Sequence, residues 1–173
     1  MNSVGIDISK GRSTIAVMRP FGEVVISPFE VRHTGSELSK LARQLKSLDG
    51  ETRVVMEATG NYHTPVAKVL HDARLYVSVV HAKLIHGYGN NDLRRVKTDR
   101  KDAVKLANYG LNRRLTLPRY FPEEDTQLLL KNCYRQYKQY SKVQTVLKNN
   151  LISLLDTVFP NVNRLFSGST TPL

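Results

Sequence analysis

The sequence predicts an α/β fold, a mixed sheet with flanking helices followed by a long coiled-coil-like helix. Three observations predict it. Short β-rich runs separated by turn residues fill the stretch from Asn2 to Val31; helix, strand, helix and strand patterns follow to Val80; and from Leu129 apolar residues recur at alternating four- and three-residue spacing. A chain of 173 residues has room for one ordinary domain with an appendage. The expected division is a domain over 1–118, a long basic helix over 119–160 and a flexible tail over 161–173.

The first three strands are expected at 4–8, 14–19 and 23–29, divided by Lys10-Gly11-Arg12 and Pro20-Phe21-Gly22. Turn residues between short β-rich runs give an antiparallel meander. A helix follows, starting at Thr34-Gly35-Ser36 and stopping at Asp49-Gly50, with Leu38, Leu41, Leu45 and Leu48 at helical spacing. A buried strand at 53–56, a helix at 65–73 carrying Val66, Val69 and Leu70, and a strand at 75–80 together imply a parallel crossover. A basic loop over 87–97 leads to a helix over 98–111, where Thr98 is a suitable N-cap and Ala103, Leu106, Ala107 and Leu111 form the apolar face.

Pro118 and Pro122 mark a boundary, and Pro122-Glu123-Glu124-Asp125 reads as a helix start. The seam beyond it runs Leu129, Cys133, Gln136, Tyr140, Val143, Leu147, Asn150 and Leu154, widened by Leu130, Tyr137, Val146, Leu151 and Leu155. This imperfect heptad suggests an intermolecular coiled coil, a homodimer or larger assembly through the long helix, with Asn150 fixing register. Pro160 ends the helix.

Composition narrows the function. Lys and Arg number 26 against 15 Asp and Glu, giving a net charge of +11, and an excess of this size on a folded domain suits a polyanion such as nucleic acid. No apolar run approaches the roughly 20 residues that cross a bilayer, so no membrane partner is expected. The N-terminus has no basic stretch followed by an apolar one, so the expected compartment is the cytoplasm. Cys133 is the sole cysteine, which excludes an internal disulfide and a cysteine-rich zinc site.

Four carboxylates stand out. Asp7 lies inside an apolar strand, Glu57 directly follows the buried strand Val54-Val55-Met56, and Asp99 and Asp102 share a helix face three residues apart. Alone, each has an ordinary reading, Asp7 as a strand-end turn residue and Asp99 as an acid suited to a helix dipole. A carboxylate in an apolar strand is costly unless its desolvation is offset, and a divalent cation offsets it well. Oxygen donors with no cysteine point to Mg²⁺ or Mn²⁺, one ion or two, and paired ions roughly 4 Å apart are a common device for phosphoryl transfer. A meander opening on Asp, a fourth strand ending in Glu and a later helix carrying Asp follow the ribonuclease H-like plan.

Three blocks make the likeness more specific: Val4-Gly5-Ile6-Asp7-Ile8-Ser9-Lys10, Met56-Glu57-Ala58-Thr59-Gly60-Asn61-Tyr62, and Lys97-Thr98-Asp99-Arg100-Lys101-Asp102-Ala103 followed by Leu106-Ala107. Together they resemble the signature blocks of the DEDD transposases, the insertion-sequence one-ten family and its Piv-type invertase relatives, whose N-terminal domain is RuvC-like. The resemblance runs in order over 4–111. It implies that Asp7, Glu57, Asp99 and Asp102 form a catalytic, Mg²⁺-binding tetrad in a recombinase that cleaves and joins DNA at mobile-element ends. It further implies direction by a structured bridge RNA in some members, and a C-terminal domain supplying a catalytic serine, which this chain, ending at Leu173, is expected to lack. Ser167 and Ser169 sit in no block resembling that nucleophile motif and are not assigned.

Basic residues gather in two places. Lys83, Arg94, Arg95, Lys97, Arg100, Lys101 and Lys105 surround the Asp99 block, where cations would hold a phosphodiester. Lys131, Arg135, Lys138 and Lys142 form a stripe on the long helix, with no carboxylate from Thr126 to Leu155 to lace it by salt bridges, as a nucleic-acid-binding ridge requires. Tyr134, Tyr137 and Tyr140 interleave with it, as packing residues or as stacking platforms. His33, His63, His71, His81 and His86 form no convincing ligand set. Gly60-Asn61-Tyr62 reads as the tight turn that lets Glu57 face the other carboxylates.

Three other readings fit parts of the pattern. Gly5-Ile6-Asp7-Ile8-Ser9-Lys10-Gly11 also resembles the first phosphate loop of actin-like ATPases and sugar kinases, but the chain has no second Gly-rich loop for the nucleotide. A stand-alone Holliday-junction nuclease and a catalytically inactive nucleic-acid-binding dimer module are the remaining alternatives.

Overall fold

The computed structural model describes residues 1–58, 60–88 and 98–159. The chain forms two compact units, Met1–Pro122 and Glu123–Leu173. In the first, strands β1 (Asn2–Ser9), β2 (Arg12–Met18) and β3 (Val24–Arg32) precede helix α1 (Gly35–Lys46). Then come β4 (Thr52–Glu57), α2 (His63–Asp72), β5 (Tyr76–Val80), α3 (Ala82–His86) and α4 (Asp99–Asn112).

The sheet order is β3-β2-β1-β4-β5, with β1–β2 and β2–β3 antiparallel and β1–β4 and β4–β5 parallel. A meander joined to a β-α-β crossover therefore builds the mixed sheet that the residue pattern predicts. The β1–β2 hairpin closes through Lys10-Gly11, where the φ of +78° at Gly11 is a conformation glycine adopts without a Cβ clash. The strands extend past their apolar cores through residues such as Asn2, Ser9, Arg12 and Arg32, because ladder pairing uses the backbone whatever the side chain.

Side-chain alternation gives the two faces of the sheet different work. Val4, Ile6 and Ile8 of β1, with Val54 and Met56 of β4, enter the main core under Leu38, Leu41 and Leu45 of α1 and Val66 and Leu70 of α2. On the opposite face a smaller core joins Val55 and Val80 to Ile85, Leu106 and Tyr109. Helix α1 is capped by Thr34, whose Oγ1 accepts the Glu37 amide, and it stops at Lys46; Leu48 lies beyond it yet still packs on the core. Helix α2 begins at His63, two residues ahead of the expected start, because Pro65 needs no intrahelical N–H bond in a first turn. Helix α3, capped by the His81 ring, is too short for its periodicity to show in the sequence.

After α4 the chain returns along β5. The Tyr76 hydroxyl donates to Leu117 O (2.8 Å), the Ser78 hydroxyl donates to Pro118 O (2.6 Å) and the Tyr120 amide donates to Val77 O (2.7 Å). These bonds carry the first unit past Pro118 to Pro122.

The second unit is α5 (Asp125–Val158), with Glu124 at its N-cap and Pro122 outside the helix. Leu129, Tyr140, Val143, Leu147 and Leu154 of its seam are all more than half exposed. Among the described residues no helix is long and apolar enough to cross a membrane. Pro160 and the 161–173 segment lie outside the described residues.

Candidate active site

Two glycines set the approach of α4 to the sheet. A Cβ on Gly5 would stand 2.0 Å from Ala103 O and 2.4 Å from Ala107 N, and one on Gly110 would stand 2.3 Å from Ser3 Oγ. The Ser3 hydroxyl donates to Ala107 O at 2.7 Å. Moving along β1 from Ser3 to Gly5 thus moves back along α4 from Gly110 to Ala103, so the two elements run antiparallel. Continuing to Asp7 leads to the first turn of α4, which carries Asp99 and Asp102.

The same alternation places Glu57. Gly5 pairs with Val55 and Ile6 with Met56 across the parallel β1–β4 ladder, so Glu57, the last residue of β4, shares the α4 face with Val55 and adjoins Asp7. At 3.6 residues per turn, Asp99 lies in line with Ala103 and Leu106, and Asp102 with Leu106 and Tyr109, on the sheet-facing side of α4. Asp7, Glu57 and Asp102 are half-buried and Asp99 is exposed.

Local chemistry suits these positions. Thr98 caps α4, its Oγ1 accepting the Lys101 amide, and the free N–H groups of the first turn favour the two aspartates. The Ala58 amide donates to Val80 O at 2.9 Å, prolonging the β4–β5 ladder past Glu57, and Gly60 turns the chain away with a φ of +51°. Thr59 lies outside the described residues.

The structure therefore brings all four carboxylates to one end of one sheet face. It does not draw them into a closed cluster: among the described residues no three His, Cys, Asp or Glu side chains stand close enough to hold one metal ion. The donor set is nonetheless all carboxylate oxygen, the chemistry of a hard cation such as Mg²⁺ or Mn²⁺.

Of the cations expected nearby, Lys83 is exposed on α3, Arg100 and Lys101 are exposed and Lys105 half-buried on α4, while Arg94, Arg95 and Lys97 lie outside the described residues. On α5, Lys131, Arg135, Lys138 and Lys142 are exposed. The stripe is not wholly without acids: Lys131 Nζ meets Glu123 Oε1 at 2.6 Å, a carboxylate just ahead of the helix that the span from Thr126 to Leu155 left out. Lys138 Nζ stands 5.5 Å from the Tyr134 ring centroid, so that ring carries a neighbouring cation.

His71 and His33 make local contacts. The His71 ring sits edge-on to Tyr120 and Phe121, each at 6.1 Å, and the His33 Nε2 pairs with the Ser13 hydroxyl at 2.7 Å. Burial lowers the pKa of both His33 and His63, with a hydrogen bond to the Gly60 backbone opposing the shift at His63. A histidine depressed below its unfolded value of about 6.5 favours folding above that pH, and the benefit fades as pH falls through its folded pKa. The melting temperature is expected to drop on acidification below about pH 6.5, and the drop should shrink in a His33→Gln, His63→Gln double variant.

Sequence reasoning missed the aromatic contact beside α4. Tyr88 and Tyr109 meet edge-on at 5.3 Å, and the Asn112 side-chain amide donates to the Tyr88 hydroxyl. Tyr88 lies outside every periodic segment, so nothing in the pattern pointed to it.

A family model described as a transposase of the DEDD, IS110 type matches residues 4–160. The chain belongs to that family. Two curated relatives, the pilin gene-inverting proteins of Moraxella bovis and Moraxella lacunata, are each 30% identical to this transposase-family chain over 89 residues. The match takes in 51% of the chain and 27% of each relative, so it spans only about a quarter of the relatives' length. Among solved structures, Thermus thermophilus RuvC aligns at 15% identity and a TM-score of 0.47, over 69% of the transposase-family chain and 100% of RuvC. The same protein in complex with a Holliday junction substrate aligns at 12% identity and a TM-score of 0.49, over 69% and 99%.

Proposed function

We propose that this chain is the N-terminal part of a DNA recombinase that cleaves and joins DNA at mobile-element ends. The observation that carries the reading is the convergence of Asp7 and Glu57, from neighbouring strand ends, with the first turn of α4 on one sheet face. Membership of a transposase family and likeness to proteins named for inverting a gene support it.

Asp7, Glu57, Asp99 and Asp102 would hold one or two Mg²⁺ or Mn²⁺ ions. Bound there, such ions would activate an oxygen nucleophile and stabilise the leaving oxygen of a phosphodiester. Arg100, Lys101, Lys105 and Lys83 would neutralise the DNA backbone around the first turn of α4. Half-burial of three carboxylates strengthens their hold on a cation by limiting competition from water. In the whole protein, a C-terminal domain would supply a serine nucleophile and a bridge RNA would direct the choice of target. The long helix would pair with a second copy. The cytoplasm is the proposed compartment.

A second reading has one observation in its favour, the absence of a closed metal cluster among the described residues: a nucleic-acid-binding module on an inactive catalytic fold. Calorimetric titration with Mn²⁺ separates the two. The recombinase reading expects binding by the wild-type chain that Asp7→Asn abolishes. A folded wild type that takes up no Mn²⁺, or an Asp7→Asn chain that binds as well, would favour the module.

The cations on α5 make a separate prediction. Changing Lys131, Arg135, Lys138 and Lys142 together to Gln should flatten the dependence of log affinity for duplex DNA on log salt. Each lost phosphate contact contributes roughly 0.9 to the slope, so four would remove about 3.6. An unchanged slope would remove α5 from the DNA-contacting surface.

A further inference from the structure

A hollow of about 790 Å³ lies along the outer flank of α4, away from the flank that carries Asp99 and Asp102. That volume falls within the range of roughly 300–1,000 Å³ typical of sites for small organic ligands. Its described wall holds three cations, Arg100, Lys101 and Lys105, two amides, Asn108 and Asn112, and the ring of Tyr88, with no acid among them. Val104 and Pro28 give it an apolar floor. Pro28 reaches the hollow from β3, where a bulge opens between the Ile15–Phe29 and Val17–Ile26 pairs; a residue without an N–H fits such a break in the ladder.

This wall matches the parts of a nucleotide. Cations at the α4 N-terminal end suit a phosphate, the apolar floor and tyrosine ring suit a base, and asparagine amides pair with base edges, adenine above all. The tyrosine ring is held in advance, edge-on to Tyr109 at 5.3 Å and with its hydroxyl accepting the Asn112 amide, so little freedom is lost on stacking. A hollow of this size admits one base but not a duplex, whose diameter is about 20 Å. Arg100 and Lys101 share a helical turn with Asp99 and Asp102 but project from its other side, so a strand whose phosphate they hold passes round the first turn of α4 to reach the carboxylates.

We propose that the outer flank of α4 binds one unpaired nucleotide of the DNA strand presented to the carboxylates. This rests on the recombinase reading for its substrate, but needs no metal. The test measures binding of the whole chain, without divalent ions, to three DNAs. These are a duplex with a single adenine bulge beside a 2-aminopurine reporter, the same duplex with an abasic bulge, and the continuous duplex. The base-bearing bulge should bind about tenfold tighter than the abasic one, the effect of one stacked base, with a change in 2-aminopurine fluorescence. In Asn108→Leu that preference should fall several-fold while affinity for the continuous duplex holds. Equal affinity for the two bulges, or a preference untouched by Asn108→Leu, would overturn the pocket and leave general DNA contact standing. Failure to bind any of the three would overturn the DNA reading together with it.

Discussion

Replacing Gly5 with alanine is expected to be among the most damaging single-methyl changes in the chain. The added Cβ would fall 2.0 Å from Ala103 O, 2.4 Å from Ala107 N and 3.0 Å from Leu106 C, all backbone atoms of α4. No rotamer change relieves a clash with backbone, so the helix must move off the sheet as a body. Overpacking of this kind costs about 3 kcal/mol or more, equivalent to a fall of roughly 10 °C in melting temperature for a unit of this size. Gly110→Ala provides the contrast, because its Cβ meets the side-chain atoms Ser3 Oγ at 2.3 Å and Val55 Cγ2 at 2.8 Å. Ser3→Gly should restore much of the stability lost in Gly110→Ala, whereas no side-chain change should rescue Gly5→Ala. Moving α4 also moves Asp99 and Asp102 relative to Asp7, so Mn²⁺ uptake by Gly5→Ala should weaken even below its melting temperature. A Gly5→Ala chain that melts within about a degree of the wild type would show that β1 and α4 are not in close contact.

That same contact explains how much of the site the sequence could display. Turn residues, helical periodicity and β-branched runs gave each main element its type, because each signal is local: Gly11 needs its turn, Thr34 and Thr98 cap the next residues, and Leu38, Leu41 and Leu45 share one face. Asp7 and Glu57 stand out as candidates as well, since an acid inside or directly after a buried strand runs against its surroundings, whereas Asp99 and Asp102 stand out only through the block that carries them. Their convergence was legible only through the fold plan, because it depends on β1 lying between β2 and β4 and on α4 running antiparallel to β1. Gly5 and Gly110 look like ordinary glycines until the helix lies over them. Tyr88 acquires its role only through Tyr109 and Asn112, residues more than twenty positions away that no local pattern connects to it.

The second large effect is expected on α5. Its seam carries no charge from Leu129 to Leu154, while Lys131, Arg135, Lys138, Lys142 and Lys148 fall on the helix surface away from that seam. Leu147 is 62% exposed and Val143 is 55% exposed, so a second copy of the helix would bury both. Parallel pairing sets Gln136 against Gln136 and Asn150 against Asn150, each polar group meeting its own kind, whereas the antiparallel register with Leu129 opposite Leu154 sets Gln136 against Leu147. If α5 pairs with a second copy as proposed, changing Val143 and Leu147 to Lys places four charges in the seam. It removes four buried aliphatic side chains, each contributing about 1.5 kcal/mol, and so weakens the dimer by at least ten-thousandfold. Sedimentation velocity should show a wild-type dimer and a monomeric variant with unchanged melting of the first unit. Oxidation should cross-link wild-type chains through Cys133, since the parallel register sets the two thiols opposite one another. A variant that stays dimeric would place the interface on the sheet unit instead, and a wild-type dimer that resists cross-linking would reverse the helix direction.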